Sequence, residues 1–115
     1  MLEFTGKVIW ITGLSGAGKS TLANEISLCS TSKGQPIVKL DGDELREVFG
    51  AATKNIQNHG REGRLALAMQ YSKLCQLIAS QGHTVVIATI SMFREIYLWN
   101  YKNLPGYTEI YLNVP

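Results

Sequence analysis

The sequence predicts an α/β fold, a parallel β-sheet flanked by helices, and three observations carry that expectation. Short β-branched runs alternate with helical patterns along the chain, which implies parallel crossovers in one layered structure. The first run passes through a glycine-rich loop straight into a helical pattern, the order in which a strand feeds a crossover helix. The 115 residues contain no internal repeat, low-complexity tract or linker-like stretch, so they form one domain.

The elements follow in order. Lys7 to Thr12 is a β-branched run ending at glycine, the pattern of a buried strand. From Lys19, the residues Leu22, Ala23, Ile26 and Cys29 recur at helical spacing until Ser30 to Pro36 interrupts them. Ile37 to Leu40 is a second strand, ended by Asp41-Gly42-Asp43. Asp43 is placed to cap a brief helix through Phe49. Residues 50–60 are irregular. A long helix is predicted from about Arg61 to Gln81, stopped by Gly82. Leu65, Met69, Ser72, Cys75 and Ala79 form one stripe of it, and Leu67, Tyr71, Leu74 and Ile78 widen that stripe into a largely buried face. Thr84 to Ile90 is the third strand, Phe93 to about Tyr101 a helix ending before Pro105, and Thr108 to Val114 the fourth strand.

Composition excludes several classes. Hydrophobic residues are 45% and charged residues 17%, a balance for a globular core rather than a disordered chain. The formal charge of +2 is too small to imply nucleic-acid or membrane binding. The start Met-Leu-Glu-Phe lacks a basic region and apolar run, and no apolar stretch approaches the ~20 residues of a membrane span. The two cysteines, Cys29 and Cys75, fall in apolar helical patterns and read as buried free thiols of a cytoplasmic protein. His59 and His83 show no metal-ligand spacing.

Gly13-Leu14-Ser15-Gly16-Ala17-Gly18-Lys19-Ser20 fits G-x-x-x-x-G-K-[ST] at every fixed position, between a strand and a helix as the mechanism requires. Glycines let the backbone N–H groups turn inward on a phosphate chain, and the helix N-terminus adds its partial positive charge. Lys19 would reach the β- and γ-phosphates, and Ser20 would hold Mg²⁺. The candidate nucleotide-binding residues are therefore Gly13, Leu14, Ser15, Gly16, Ala17, Gly18, Lys19, Ser20 and Thr21, with ATP and Mg²⁺ as the implied ligands.

The third strand ends in Thr89-Ile90-Ser91 without a carboxylate, so the acids nearest the phosphates are Asp41 and Asp43, after the second strand. Ligands collect beyond the carboxyl ends of the strands in open α/β sheets, where Lys19, Asp43 and Ser91 would converge. A carboxylate there can accept the proton of an attacking hydroxyl. Arg46 lies one helical turn after Asp43. Arg64 opens the long helix, where a cation is unfavourable unless an anion compensates it. Guanidinium groups fork onto phosphate or sulfate oxygens, so the pair suits an anionic acceptor. Arg61 and Arg94 read as solvated surface residues. A guanine-reading Asn-Lys-x-Asp pattern is missing, which argues against a GTPase switch.

These residues carry a family resemblance. Ile11 to Ala23, Leu40-Asp41-Gly42-Asp43-Glu44-Leu45-Arg46 and Ala88-Thr89-Ile90-Ser91, in this order and spacing, resemble the adenylylsulfate kinase (APS kinase) family of P-loop phosphotransferases. The resemblance implies a sheet ordered 2-3-1-4 and transfer of the γ-phosphate of ATP to the ribose 3′-hydroxyl of adenosine 5′-phosphosulfate, in sulfate assimilation. It implies catalytic roles for Lys19, Asp43 and Ser91, and acceptor contacts from Asp41, Asp43, Arg46, His59, Arg64, Ile90 and Ser91. Ser91 stands where the family is said to carry a phosphoserine, although direct transfer needs no covalent step. Homodimers are common in the family. Its members continue past this point into a lid that covers ATP, a further strand and a helix, so residues 1–115 correspond to the N-terminal two-thirds of such a domain.

Departures concentrate on the acceptor side. His59 stands where the family places a Phe that stacks on adenine, and Gly63 stands for the Asp of an Asp-Arg pair. Leu67-Ala68-Met69-Gln70 replaces Asn-Ile-x-Arg, Met92-Phe93-Arg94 replaces Pro-Tyr-Arg, and Tyr97 replaces an Arg. The run Tyr71-Ser72-Lys73-Leu74-Cys75 and the segment Leu98-Trp99-Asn100 resemble a divergent branch found with capsule and surface-sugar genes, one of whose kinases acts on cytidine diphosphoramidate. A different nucleotide acceptor of that kind, or an ATP-binding module without catalysis, are the alternatives.

Overall fold

A computed structural model describes residues 6–14, 16–50 and 60–113. Its elements are β1 (Val8–Gly13), α1 (Lys19–Ser32), β2 (Val38–Asp41), α2 (Gly42–Val48), α3 (Gly60–Ser80), β3 (Val85–Ala88), α4 (Arg94–Asn103) and β4 (Thr108–Leu112). The four strands form one sheet in the order β2-β3-β1-β4, and every pairing is parallel. The expected α/β class and strand order are what the chain adopts.

Alternation along the central strands sorts the core into two layers. Val8 and Trp10 of β1, with Val85 and Ile87 of β3, face α3 and α4 and meet Leu67, Ala68, Tyr71, Cys75, Ala79 and Ile96. Ile11, Val86 and Ala88 point the other way and pack with Ala23 of α1 and the half-buried Leu22 and Ile26. The two inner strands are buried on both faces, which is why they read as continuous apolar runs.

Two expectations are corrected. Cys29 is exposed, while Cys75 is buried as expected. Ala23, Ile26 and Ser30 share the face that α1 turns to the sheet and are buried or half-buried, whereas Cys29 is rotated away from that face. Asp43 does not cap α2. Asp41 does: its Oδ1 accepts the backbone N–H of Asp43 at 2.9 Å. The carboxylate two residues upstream closes this turn first, which leaves the Asp43 side chain outside the cap.

Strand and helix bounds otherwise shift by one or two residues, except that α1 runs on to Ser32, inside the segment expected to interrupt it, and β4 ends at Leu112. Among the described residues no helix is long and apolar enough to cross a membrane.

Candidate functional site

A cleft of about 870 Å³ opens at the carboxyl ends of the strands, between the glycine-rich loop and the start of α3. Gly13 ends β1 with φ 147°, and a Cβ there would stand 2.5 Å from the Leu112 carbonyl oxygen, so β1 and β4 converge where no side chain fits. Gly16 and Gly18 also have positive φ, at 84° and 92°. They turn the loop so that Gly18 sits at the N-cap of α1 without a capping side chain. The first N–H groups of that helix therefore remain available to an anion. The first turn of α1 contains no acidic residue that would compete for them.

Lys19 folds back over the loop, where its Nζ donates to the Leu14 carbonyl at 2.8 Å. Across the cleft mouth, Ser20 Oγ donates to Asp41 Oδ2 at 2.6 Å. The N-terminus of α1 and the end of β2 are thereby joined through a hydroxyl and a carboxylate. Gly42 lets the next turn approach β3 closely, since a Cβ on it would lie 3.3 Å from both the Ala88 carbonyl and Thr89 Oγ1. The Asp41-Gly42-Asp43 turn is thus pressed against the end of β3.

At that strand end the polar groups are buried and bonded to one another. Ser91 Oγ and Thr89 Oγ1 are 2.9 Å apart, the Ser91 N–H donates to Thr89 Oγ1 at 3.3 Å, and Thr12 Oγ1 donates to the Ser91 carbonyl at 3.3 Å. Ser91 is 8% exposed. Its hydroxyl faces the cleft already engaged by Thr89.

Arg46 and Arg64 line the same cleft as Lys19, Ser20, Asp41, Asp43, Ile90 and Ser91. Nearly every described candidate is brought together. Ser15 and His59 lie outside the described residues. Arg61 is not simply solvated: its Nη2 contacts both carboxylate oxygens of Glu95, at 3.0 and 2.8 Å, and its guanidinium lies 5.2 Å from the centre of the Phe93 ring. That guanidinium holds the Glu95 carboxyl below its usual value. The pair ties the start of α3 to the start of α4 beside the cleft.

Sequence reasoning missed Thr89 and Tyr71 as cleft residues, whereas Phe93 stood among the acceptor-side departures. Thr89 carried a usable signal, a second hydroxyl two residues before Ser91 at a strand end. Tyr71 carried none, because its spacing is that of a core residue.

The residues 5–115 match the family model described as adenylylsulphate kinase. The chain belongs to the adenylylsulphate kinase family. Among its relatives, the cytidine diphosphoramidate kinase of Campylobacter jejuni is 40% identical over 105 residues, covering 91% of this chain and 59% of that protein. The adenylyl-sulfate kinase of Deinococcus deserti is 35% identical over 113 residues, covering 96% of this chain and 59% of that protein. This adenylylsulphate kinase family chain thus spans about three-fifths of the length of both. Among solved structures, the Mycobacterium tuberculosis APS kinase in complex with AMPPNP and APS superposes with a TM-score of 0.84 at 29% identity, covering 97% of this chain and 65% of that one.

Proposed function

We propose that this chain carries the nucleotide and acceptor sites of an ATP-dependent kinase that phosphorylates a hydroxyl of an anionic, nucleotide-type acceptor. One observation carries the reading: the glycine-rich loop with Lys19, the Asp43 carboxylate and the Arg46 and Arg64 guanidiniums line a single cleft. In this reading the loop amides and the α1 N-terminus hold the triphosphate, and Lys19 exchanges Leu14 for the phosphate oxygens. Asp43 accepts the acceptor hydroxyl's proton as its oxygen bonds the γ-phosphorus and the bond to the bridging oxygen of ADP breaks. Arg46 and Arg64 neutralise the acceptor's two anionic groups, while Ile90 and Ser91 border it.

The Ser20 hydroxyl and Asp41 carboxylate, 2.6 Å apart, fit Mg²⁺, which takes hard oxygen donors. Among the described residues no cluster of three or more His, Cys, Asp or Glu competes for a metal. Mg²⁺ holds few protein ligands when phosphate and water supply the rest, and when bound it neutralises charge on the transferred group.

Adenosine 5′-phosphosulfate, through its ribose 3′-hydroxyl, is the acceptor that the family name supports. Cytidine diphosphoramidate is the second reading, favoured by the 40% identity to the Campylobacter kinase and by the apolar Leu67 and Ala68 on the cleft wall. An ATP-consumption assay on both compounds tests this. Turnover of cytidine diphosphoramidate without adenosine 5′-phosphosulfate selects the second reading. ATP binding with transfer to neither reduces the chain to a nucleotide-binding module.

A further inference from the structure

Helix α2 bears both Asp43 and Arg46, yet it has seven residues, too few to be stable alone. Its orientation must come from what it packs against. One side chain of α3, Tyr71, reaches it at two points. The Tyr71 hydroxyl donates to the Gly42 carbonyl, at the start of α2, at 3.3 Å. The ring stacks on Phe49, which ends α2, with centroids 6.2 Å apart and planes 22° from parallel. Between these two contacts α2 carries Asp43 and Arg46.

Tyr71 is 3% exposed and its burial raises the phenol above its ordinary value, so it keeps the proton that it gives to Gly42. A phenylalanine would fill the same space and stack on Phe49, so the volume alone does not require the hydroxyl. The hydroxyl instead serves the carbonyl immediately before Asp43.

We propose that Tyr71 is a positioning residue of the acceptor site: its hydroxyl ties the Gly42 carbonyl to α3 and its ring holds Phe49, and together they set how Asp43 and Arg46 face the cleft. This rests on the acceptor-side reading given above. The loop that holds the triphosphate meets this turn through Ser20 and Asp41, whereas Tyr71 holds α2 itself at Gly42 and Phe49, so the larger effect falls on the acceptor.

The test is Tyr71→Phe in the full chain, with steady-state kinetics on ATP and on whichever of the two acceptors the unaltered protein phosphorylates. Expected is a fall of about tenfold in kcat/KM for the acceptor, the scale of one lost hydrogen bond, with a smaller change in KM for ATP. Arg46→Ala should then cost less in the Tyr71→Phe background than alone, because a loosened α2 no longer holds Arg46 at the acceptor. Unchanged kinetics, equal losses on both substrates, or additive effects with Arg46→Ala would overturn the proposal. If the unaltered protein phosphorylates neither acceptor, the kinase reading fails by itself, and hydrogen exchange of the Gly42–Arg46 amides decides the positioning role. Exchange about tenfold faster in Tyr71→Phe supports it, and unchanged exchange refutes it.

Discussion

Asp41 holds two elements at once, and separating its contributions tests the geometry of the site. Its Oδ1 caps α2 through the Asp43 N–H at 2.9 Å, and its Oδ2 takes the Ser20 hydroxyl at 2.6 Å. Losing a helix cap costs about 1 kcal/mol. A hydrogen bond to a charged group contributes about 1 kcal/mol once solvent exposure is discounted. Asp41→Ala removes both, about 2 kcal/mol in total, which for a domain of this size lowers Tm by about 8 °C. Asn caps as well as Asp, so Asp41→Asn keeps the first contribution, weakens the second and loses about 4 °C. Thermal unfolding followed by circular dichroism reads both variants. Equal melting of the Asn and Ala variants would refute the cap, and melting of both at the wild-type temperature would refute both roles.

Three further outcomes are expected. Lys19→Ala should cut turnover by about two to three orders of magnitude, since it removes a charge aimed at the transferred group; unaltered turnover in a phosphate-release assay would remove Lys19 from the site. Gly13→Ala should lose at least about 3 kcal/mol in a urea titration, or fail to fold, because its Cβ would stand 2.5 Å from the Leu112 carbonyl oxygen and both partners are backbone. Burial pushes the Cys75 thiol up from 9.0 to about 12. Above pH 9 the unfolded thiol loses its proton while the folded one keeps it, so stability should fall by about 1.4 kcal/mol per pH unit toward pH 12. The decline between pH 9 and 10 should shrink by about half in Cys75→Ala, the rest coming from the buried Tyr71 and the half-buried Tyr97 and Tyr107; persistence of the full slope there would contradict the assignment.

The glycine-rich loop was legible because its chemistry is local: the spacing from Gly13 to Ser20 fixes backbone turns and a helix start within one segment. The Asp41-Gly42-Asp43 turn was only half legible. Either carboxylate can cap the helix that follows, and the choice fell to Asp41 once α2 began at Gly42. Cys29 illustrates a different limit. Its helical spacing matches Cys75, but it lies off the face that α1 buries, and which face a helix buries is set by the partner it packs on.

The sequence by itself determined the parallel α/β layering and the phosphate loop, since both follow from periodicities of two and 3.6 residues and from glycine's backbone freedom. It also brought Arg46 and Arg64 forward as anion ligands from charge and position. The tertiary structure alone decided what supports them. Tyr71 meets Gly42, 29 residues away, and Thr12 meets Ser91, 79 residues away. Such contacts depend on how α3 and β3 dock against β1 and β2, and no local spacing encodes a distance that only the folded sheet creates.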